Sequence, residues 1–122
     1  GEIREAFSFG PALIIDGVVQ EFDYKKKTSC GYPTPAQRLA FCQVDKLSYL
    51  IVATEGPEQD KNAGLSIPEL TELLVAKGVK HAYNLDGGNS TTILLGGRRI
   101  NAPESDNRAV GDIIYFATLR SE

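Results

Sequence analysis

The sequence has one histidine, His81, and two cysteines, Cys30 and Cys42. These three side chains do not make a zinc ligand set. Asp86, Asn84 and backbone carbonyls could hold a hard cation, but the carboxylates are too few to favour it. No metal and no cofactor is therefore expected. No apolar run approaches ~20 residues, so no membrane-spanning segment is expected. The opening residues, Gly1-Glu2-Ile3-Arg4, do not read as a secretory leader. Neither sign of charge dominates: Lys plus Arg is 13, Asp plus Glu is 16, and the net charge is −3. That balance argues against a nucleic-acid binder held by phosphate contacts and against a polybasic membrane-surface protein.

What is present suits one folded domain over residues 1–122. The chain is 42% hydrophobic and 24% charged, ordinary for a globular protein. A chain of this size buries roughly two-thirds of its unfolded surface. Ala12–Asp16 and Val18–Phe22 are apolar runs joined at Asp16-Gly17, a strong hairpin signal. Leu39–Val44 and Leu47–Ala53, with Asp45-Lys46 between them, predict a second hairpin. Between the hairpins, Tyr24–Pro35 carries Lys25-Lys26-Lys27 and two prolines and reads as a solvated loop.

One helix is predicted over about 66–77. Ser66-Ile67-Pro68-Glu69 is a capping box, and Gly78 is placed to end the helix. Ile67, Leu70, Leu73 and Leu74 form its apolar stripe. Further strands are predicted at His81–Leu85, Thr91–Leu95, Arg98–Ile100 and Asp112–Leu119. The expected class is α+β: a mostly antiparallel sheet of about seven or eight strands with one packed helix, and one parallel crossover allowed through that helix.

Cys30 and Cys42 are a disulfide candidate. Pairing would close a loop of about 13 residues, worth ~3 kcal/mol in the chain-entropy model. The alternative is two unrelated buried thiols. His81 lies at the start of a predicted strand and reads as structural.

The segment richest in chemistry is Asn84-Leu85-Asp86-Gly87-Gly88-Asn89-Ser90-Thr91-Thr92. Two glycines let the backbone turn tightly and approach a ligand. Successive N–H groups in such a turn can bind an anion. Asp86, at a strand end, can act as base or nucleophile. The same residues also make an ordinary polar turn, so the segment alone does not decide.

Three segments occur in order: Phe9-Gly10-Pro11-Ala12-Leu13-Ile14 with Asp16-Gly17, then Gly64-Leu65-Ser66-Ile67-Pro68-Glu69-Leu70, then Asn84-Leu85-Asp86-Gly87-Gly88-Asn89-Ser90-Thr91. In this order they resemble the phosphodiester glycosidase family, over about residues 9–116. Arg108-Ala109-Val110 is similar to the family's late arginine, and Arg38 and Glu55-Gly56 fall near two further family elements. Asn89 stands where the family has a third glycine. Strands that family domains usually have upstream do not precede Phe9.

The resemblance implies hydrolysis of a sugar-1-phosphodiester or a related cell-envelope glycan. It implies Asp86 as base or nucleophile, with Glu55 as a second carboxylate. Arg38 and Arg108 would hold phosphate. Asn84, Gly87, Gly88, Asn89 and Ser90 would bind substrate or orient Asp86. It also implies an exported, extracellular or cell-envelope setting. The 122 residues are then expected to be the C-terminal, site-bearing part of a larger domain, with an upstream partner chain as one way to complete it. Two alternatives stand beside the enzyme: a non-catalytic carbohydrate- or phosphate-binding module, and one chain of a processed assembly.

Overall fold

The structure, a computed structural model, describes residues 1–3, 6–22, 33–57, 60–101 and 108–117. Its centre is β3 (Leu39–Asp45), which is hydrogen-bonded on both sides. On one side lies β4 (Ser48–Ala53), on the other β5 (His81–Leu85). Outside β5 come β1 (Ala12–Ile15) and β2 (Val18–Val19), giving the order β2-β1-β5-β3-β4. Every pair in this five-stranded sheet is antiparallel. A separate two-stranded ribbon joins β6 (Leu94–Leu95) to β7 (Arg98–Arg99). The α+β class holds, with seven strands divided between two sheets among the described residues.

The β1–β2 hairpin turns at Asp16-Gly17, where both residues have positive φ (51° and 76°). That is the backbone twist a two-residue hairpin favours. The second hairpin turns one residue later than the sequence predicts. Asp45 faces Ser48, and Leu47 occupies the left-handed region (φ 57°) instead of beginning a strand. The allowed parallel pairing does not form. β4 and β5 both run antiparallel to β3, so they point the same way with β3 between them. The helix α1 (Ile67–Ala76) makes that crossover.

Two other predicted strands differ. Of Thr91–Leu95 only Leu94–Leu95 pairs, and residues 112–117 of the last predicted strand form none. The lysine loop at residues 25–27 lies outside the described residues.

The core forms between α1 and one face of the sheet. Ile67, Leu70 and Leu74 from α1 meet Leu13, Ile14, Ala40, Cys42 and Ala82, with Val79 closing one end. Alternation places Ala40 and Cys42 on the inner face of β3, and Ala82 and Asn84 on that of β5. Three of these four are small, so the helix can lie close. Leu13 and Ile14 are both buried although adjacent. An irregularity in the β1–β5 register between Ala12 and Ile14 accounts for this, because an extra residue re-aims a side chain. The opposite face carries an aromatic group: Phe41 stacks with Tyr49 and Phe116, and Phe7 meets Phe41 and Tyr83 edge-on.

Both ends of α1 are closed by their own sequence. Ser66 Oγ accepts from the Glu69 N–H (3.4 Å), and a Glu69 carboxylate oxygen accepts from the Ser66 N–H (2.8 Å) and hydroxyl (2.6 Å). At the far end the Val79 N–H bonds Leu74 O and the Gly78 N–H bonds Val75 O. Gly78 is left-handed (φ 69°), which completes a Schellman cap.

Cys42 is a free, buried thiol. Burial pushes its pKa up to about 11. Cys30, the other half of the candidate pair, lies outside the described residues.

Two predictions follow from these local structures. Ser66→Ala should lower stability by about 1 kcal/mol in urea unfolding, the usual worth of an N-cap. The Ser66 hydroxyl, then its N–H, hold the Glu69 carboxyl below its ordinary pKa. This stabilisation is present above the unfolded-state pKa and is lost as pH falls through the lowered folded one. The gap between wild type and Ser66→Ala should therefore narrow in acid. At pH 8 a thiol with a pKa of about 11 is ionised in only about one molecule per thousand. Iodoacetamide at pH 8 should leave Cys42 unmodified in the folded protein and modify it in urea, as read by peptide mass spectrometry.

Candidate active site

The sheet topology brings the predicted residues to one end of the sheet. Leu39, the first residue of β3, faces Ala53 on one side and Leu85 on the other. The entry to β3 and the exits of β4 and β5 are therefore level. Arg38, Glu55 and Asp86 leave that edge from three neighbouring strands. The strands carrying Glu55 and Asp86 are about 10 Å apart, two interstrand spacings.

After β5 the chain passes Asp86 and tightens into a 3₁₀ turn at Gly88–Ser90. The turn uses the N–H groups of Ser90 and Thr91, which bond Gly87 O (3.2 Å) and Gly88 O (3.0 Å). Those of Gly87, Gly88 and Asn89 lie outside the turn's own hydrogen bonds. Gly88 takes the left-handed conformation (φ 58°), and Asn89 does not. Replacing a third glycine by Asn89 thus asks nothing unusual of the backbone.

Gly87 is required for a different reason. A Cβ there would overlap the Gln37 carbonyl oxygen and stand 3.2 Å from the Arg38 Cα. The turn is pressed directly onto the backbone that enters β3.

Arg108 is fastened to this turn twice. Its N–H donates to Asn89 O (3.0 Å), and its Nη2 pairs with Asp86 Oδ2. Both partners reach solvent, with side-chain exposures of 64% for Arg108 and 39% for Asp86. Thr91, itself buried, donates its hydroxyl to Asp86 O (3.1 Å). The carboxylate is therefore oriented by a guanidinium while its backbone is pinned from below.

The remaining candidates are placed differently. Arg38 was expected to bind phosphate, yet it is 6% exposed and its Nε donates to Leu65 O (2.8 Å) and its Nη2 to Thr34 O (2.7 Å). It ties the start of β3 to the segment before α1. An arginine just ahead of a strand looks the same in sequence whether its guanidinium turns outward or under the sheet. Glu55 is exposed and makes no hydrogen bond or ion pair among the described residues. Asn84 points into the interior at 1% exposure and donates to Gly10 O (3.0 Å), so it secures the cis Gly10–Pro11 segment and does not bond Asp86. Its buried Oδ1 has no hydrogen-bond partner among the described residues. His81 sits at the opposite end of β5 from Asp86, within 3.4 Å of Asp16. Among the described residues no three His, Cys, Asp or Glu side chains gather as a metal site would require.

Two residues outside the predicted site set, Thr91 and Asn101, brace the site. The Asn101 amide donates to Thr91 O (2.9 Å) and its Oδ1 accepts from the Ile93 N–H (2.8 Å). Thr91 had a signal, a run of hydroxyl residues after the glycines. Asn101, in a polar loop, had none.

The site is thus an acid–arginine pair on a glycine turn at the end of an antiparallel sheet. The family model for phosphodiester glycosidase matches residues 1–117, and the chain belongs to that family. A solved structure of a hypothetical protein from Synechocystis is similar, with 30% identity and a TM-score of 0.58. The match covers 80% of this chain and 17% of that one, so the chain spans about a sixth of its length. No curated protein matches.

The contact at Gly87 generates a prediction. Gly87→Ala must displace either the turn or the start of β3. It should cost about 1–3 kcal/mol in urea unfolding, as overpacking does. Gly88→Ala meets no neighbouring atom and carries only the cost of its left-handed φ.

Proposed function

We propose that the protein hydrolyses a sugar joined through its anomeric carbon to a phosphodiester. The observation that carries this reading is the Asp86–Arg108 pair, locked on the Gly87–Ser90 turn in a member of the phosphodiester glycosidase family. The bond broken is the anomeric C–O bond. Water adds to the anomeric carbon, and the phosphate monoester leaves as an anion with the bonding electrons. Such a leaving group needs little help from an acid, so one carboxylate and one anion binder meet the main demands.

Asp86 takes the proton of the attacking water, or attacks the anomeric carbon first and is then released by water. Arg108 has five N–H donors and uses one on Asp86, so it can hold a phosphate oxygen beside the carboxylate. The N–H groups of Gly87, Gly88 and Asn89, with the Ser90 hydroxyl, complete the anion site. Glu55 is the second carboxylate at the same sheet end. Arg38 serves as a brace, and the phosphate contact falls to Arg108. We place this activity outside the cell or in its envelope.

A second reading is a module that binds the phosphorylated sugar without turning it over. The burial of Arg38 favours it, since only one of the two expected arginines reaches the surface of the site.

The test is release of sugar from a sugar-1-phosphodiester. Asp86→Asn should lower kcat by about 10²–10⁴-fold, the usual contribution of a general base. Arg108→Gln should raise KM, and KM in the wild type should rise with salt. Full activity in Asp86→Asn would overturn the assignment. Binding that depends on Arg108 with no turnover in the wild type would establish the second reading.

A further inference from the structure

Four junctions among the described residues place a small residue directly after Asp or Asn: Asp16-Gly17, Asn62-Ala63, Asp86-Gly87 and Asn89-Ser90. At such a junction the following amide nitrogen can attack the side-chain carbonyl carbon and close a five-membered imide. The nitrogen must give up its proton to do so, and an N–H already donated to a carbonyl is withheld. Three of the four are withheld in this way. Gly17 N–H donates to Lys80 O (2.8 Å), Ala63 N–H to Asp60 O (2.7 Å) and Ser90 N–H to Gly87 O (3.2 Å). The Gly87 N–H makes no hydrogen bond among the described residues.

The glycine itself adds to the exposure of this junction. A side chain after the aspartate would crowd the attacking nitrogen, and glycine has none. The Gln37 carbonyl oxygen excludes a Cβ at position 87. The packing that requires glycine thus follows Asp86 with the residue that least hinders attack.

What holds this junction is on the carboxyl side. Asp86 Oδ2 pairs with Arg108 Nη2, and the Arg108 N–H is fixed on Asn89 O (3.0 Å). The Thr91 hydroxyl bonds Asp86 O (3.1 Å). Ring closure must swing the Asp86 carboxyl carbon onto Gly87 N and expel one carboxyl oxygen. That movement breaks the pair with Arg108. Water has access, since the Asp86 side chain is 39% exposed.

We propose that Asp86-Gly87 is a self-modification site, closing to a succinimide and reopening in part as isoaspartate, and that the pair with Arg108 is its restraint. The Gly87 N–Asp86 Cγ bond forms, and the amide proton leaves with a carboxyl hydroxyl as water. Water then adds to one of the two imide carbonyls. Opening at Cγ restores Asp86. Opening at the former main-chain carbonyl leaves isoaspartate, with the chain running through the side-chain carbons. Water is the sole co-reactant, and nothing is oxidised or reduced. Isoaspartate lengthens the backbone between β5 and the turn by one carbon and re-aims the carboxylate. The loss of catalysis that follows rests on the function proposed above. Arg108 then preserves the carboxylate between turnovers as well as holding phosphate.

Ageing wild type, Arg108→Gln and Arg108→Lys in heavy-oxygen water at neutral pH tests this. Each ring opening installs one heavy oxygen, read at every junction by peptide mass spectrometry. In Arg108→Gln, uptake at Asp86 should rise about two- to fivefold, the restraint an exposed ion pair supplies. The other three junctions should be unchanged, and Arg108→Lys should lie nearer to wild type. In urea, wild type and Arg108→Gln should label Asp86 at the same rate. Equal uptake at Asp86 in folded wild type and Arg108→Gln would overturn the proposal, as would a rise shared by all four junctions. Sugar release by aged wild type should fall in step with isoaspartate at position 86. Isoaspartate there with undiminished sugar release would leave the modification standing and overturn the catalytic role of Asp86.

Discussion

The pairing of β5 with β3 is the constraint on which the rest of the structure depends. It inserts a strand formed late in the chain between two earlier hairpins, and so joins β1–β2 to β3–β4 in one sheet. It sets Ala82 and Asn84 on the face that α1 covers. It also levels the exits of β4 and β5 with the entry to β3. Without that register, Asp86 would emerge from a strand end with no neighbour for the turn to press against. The core and the site are thus two results of one pairing: its inner face buries apolar surface, and its end presents a carboxylate.

The site divides into an outer pair and an inner frame. Asp86 and Arg108 reach solvent. Beneath them, Thr91, Arg38 and Asn84 are buried and donate to backbone carbonyl oxygens. Such bonds to backbone fix the path of the chain more than they fix one another's side chains. The frame therefore controls where the pair sits, and the pair keeps its chemistry exposed. Under the proposed function, this division leaves the single guanidinium of Arg108 open to both the carboxylate and an incoming anion.

Much of this was legible in the sequence where the determining interactions are local. Asp16-Gly17 specified its hairpin because two positive φ angles are cheap there. Ser66 and Glu69 announced the helix start because their bonds span three residues. Asp86 and Arg108 were named from a family resemblance, and the structure brings them together. The rest depends on partners distant in sequence. Arg38 reads as a surface cation until Thr34 O and Leu65 O are seen to claim it. Asn84 reads as a site residue until Gly10 folds over it. The stretch at residues 112–117 has a strand's composition, yet among the described residues no edge pairs with it, and Phe116 packs instead on the aromatic face. Leu47 shows the reverse: its apolar side chain reads as strand, yet the turn holds it in the left-handed region.

The contact between Gly87 and Gln37 has a consequence for how this family can vary. The atom that excludes a side chain at position 87 is a main-chain carbonyl oxygen. Every amino acid carries that oxygen, so no replacement at position 37 can make room. Relief would need the backbone of the β3 entry to move, and Arg38 anchors that backbone to two carbonyls. Position 87 is therefore tied to a path of the chain and not to the identity of any neighbour. Among homologues that keep this path it should stay glycine while position 37 drifts, and the two positions should show no covariation despite lying in direct contact.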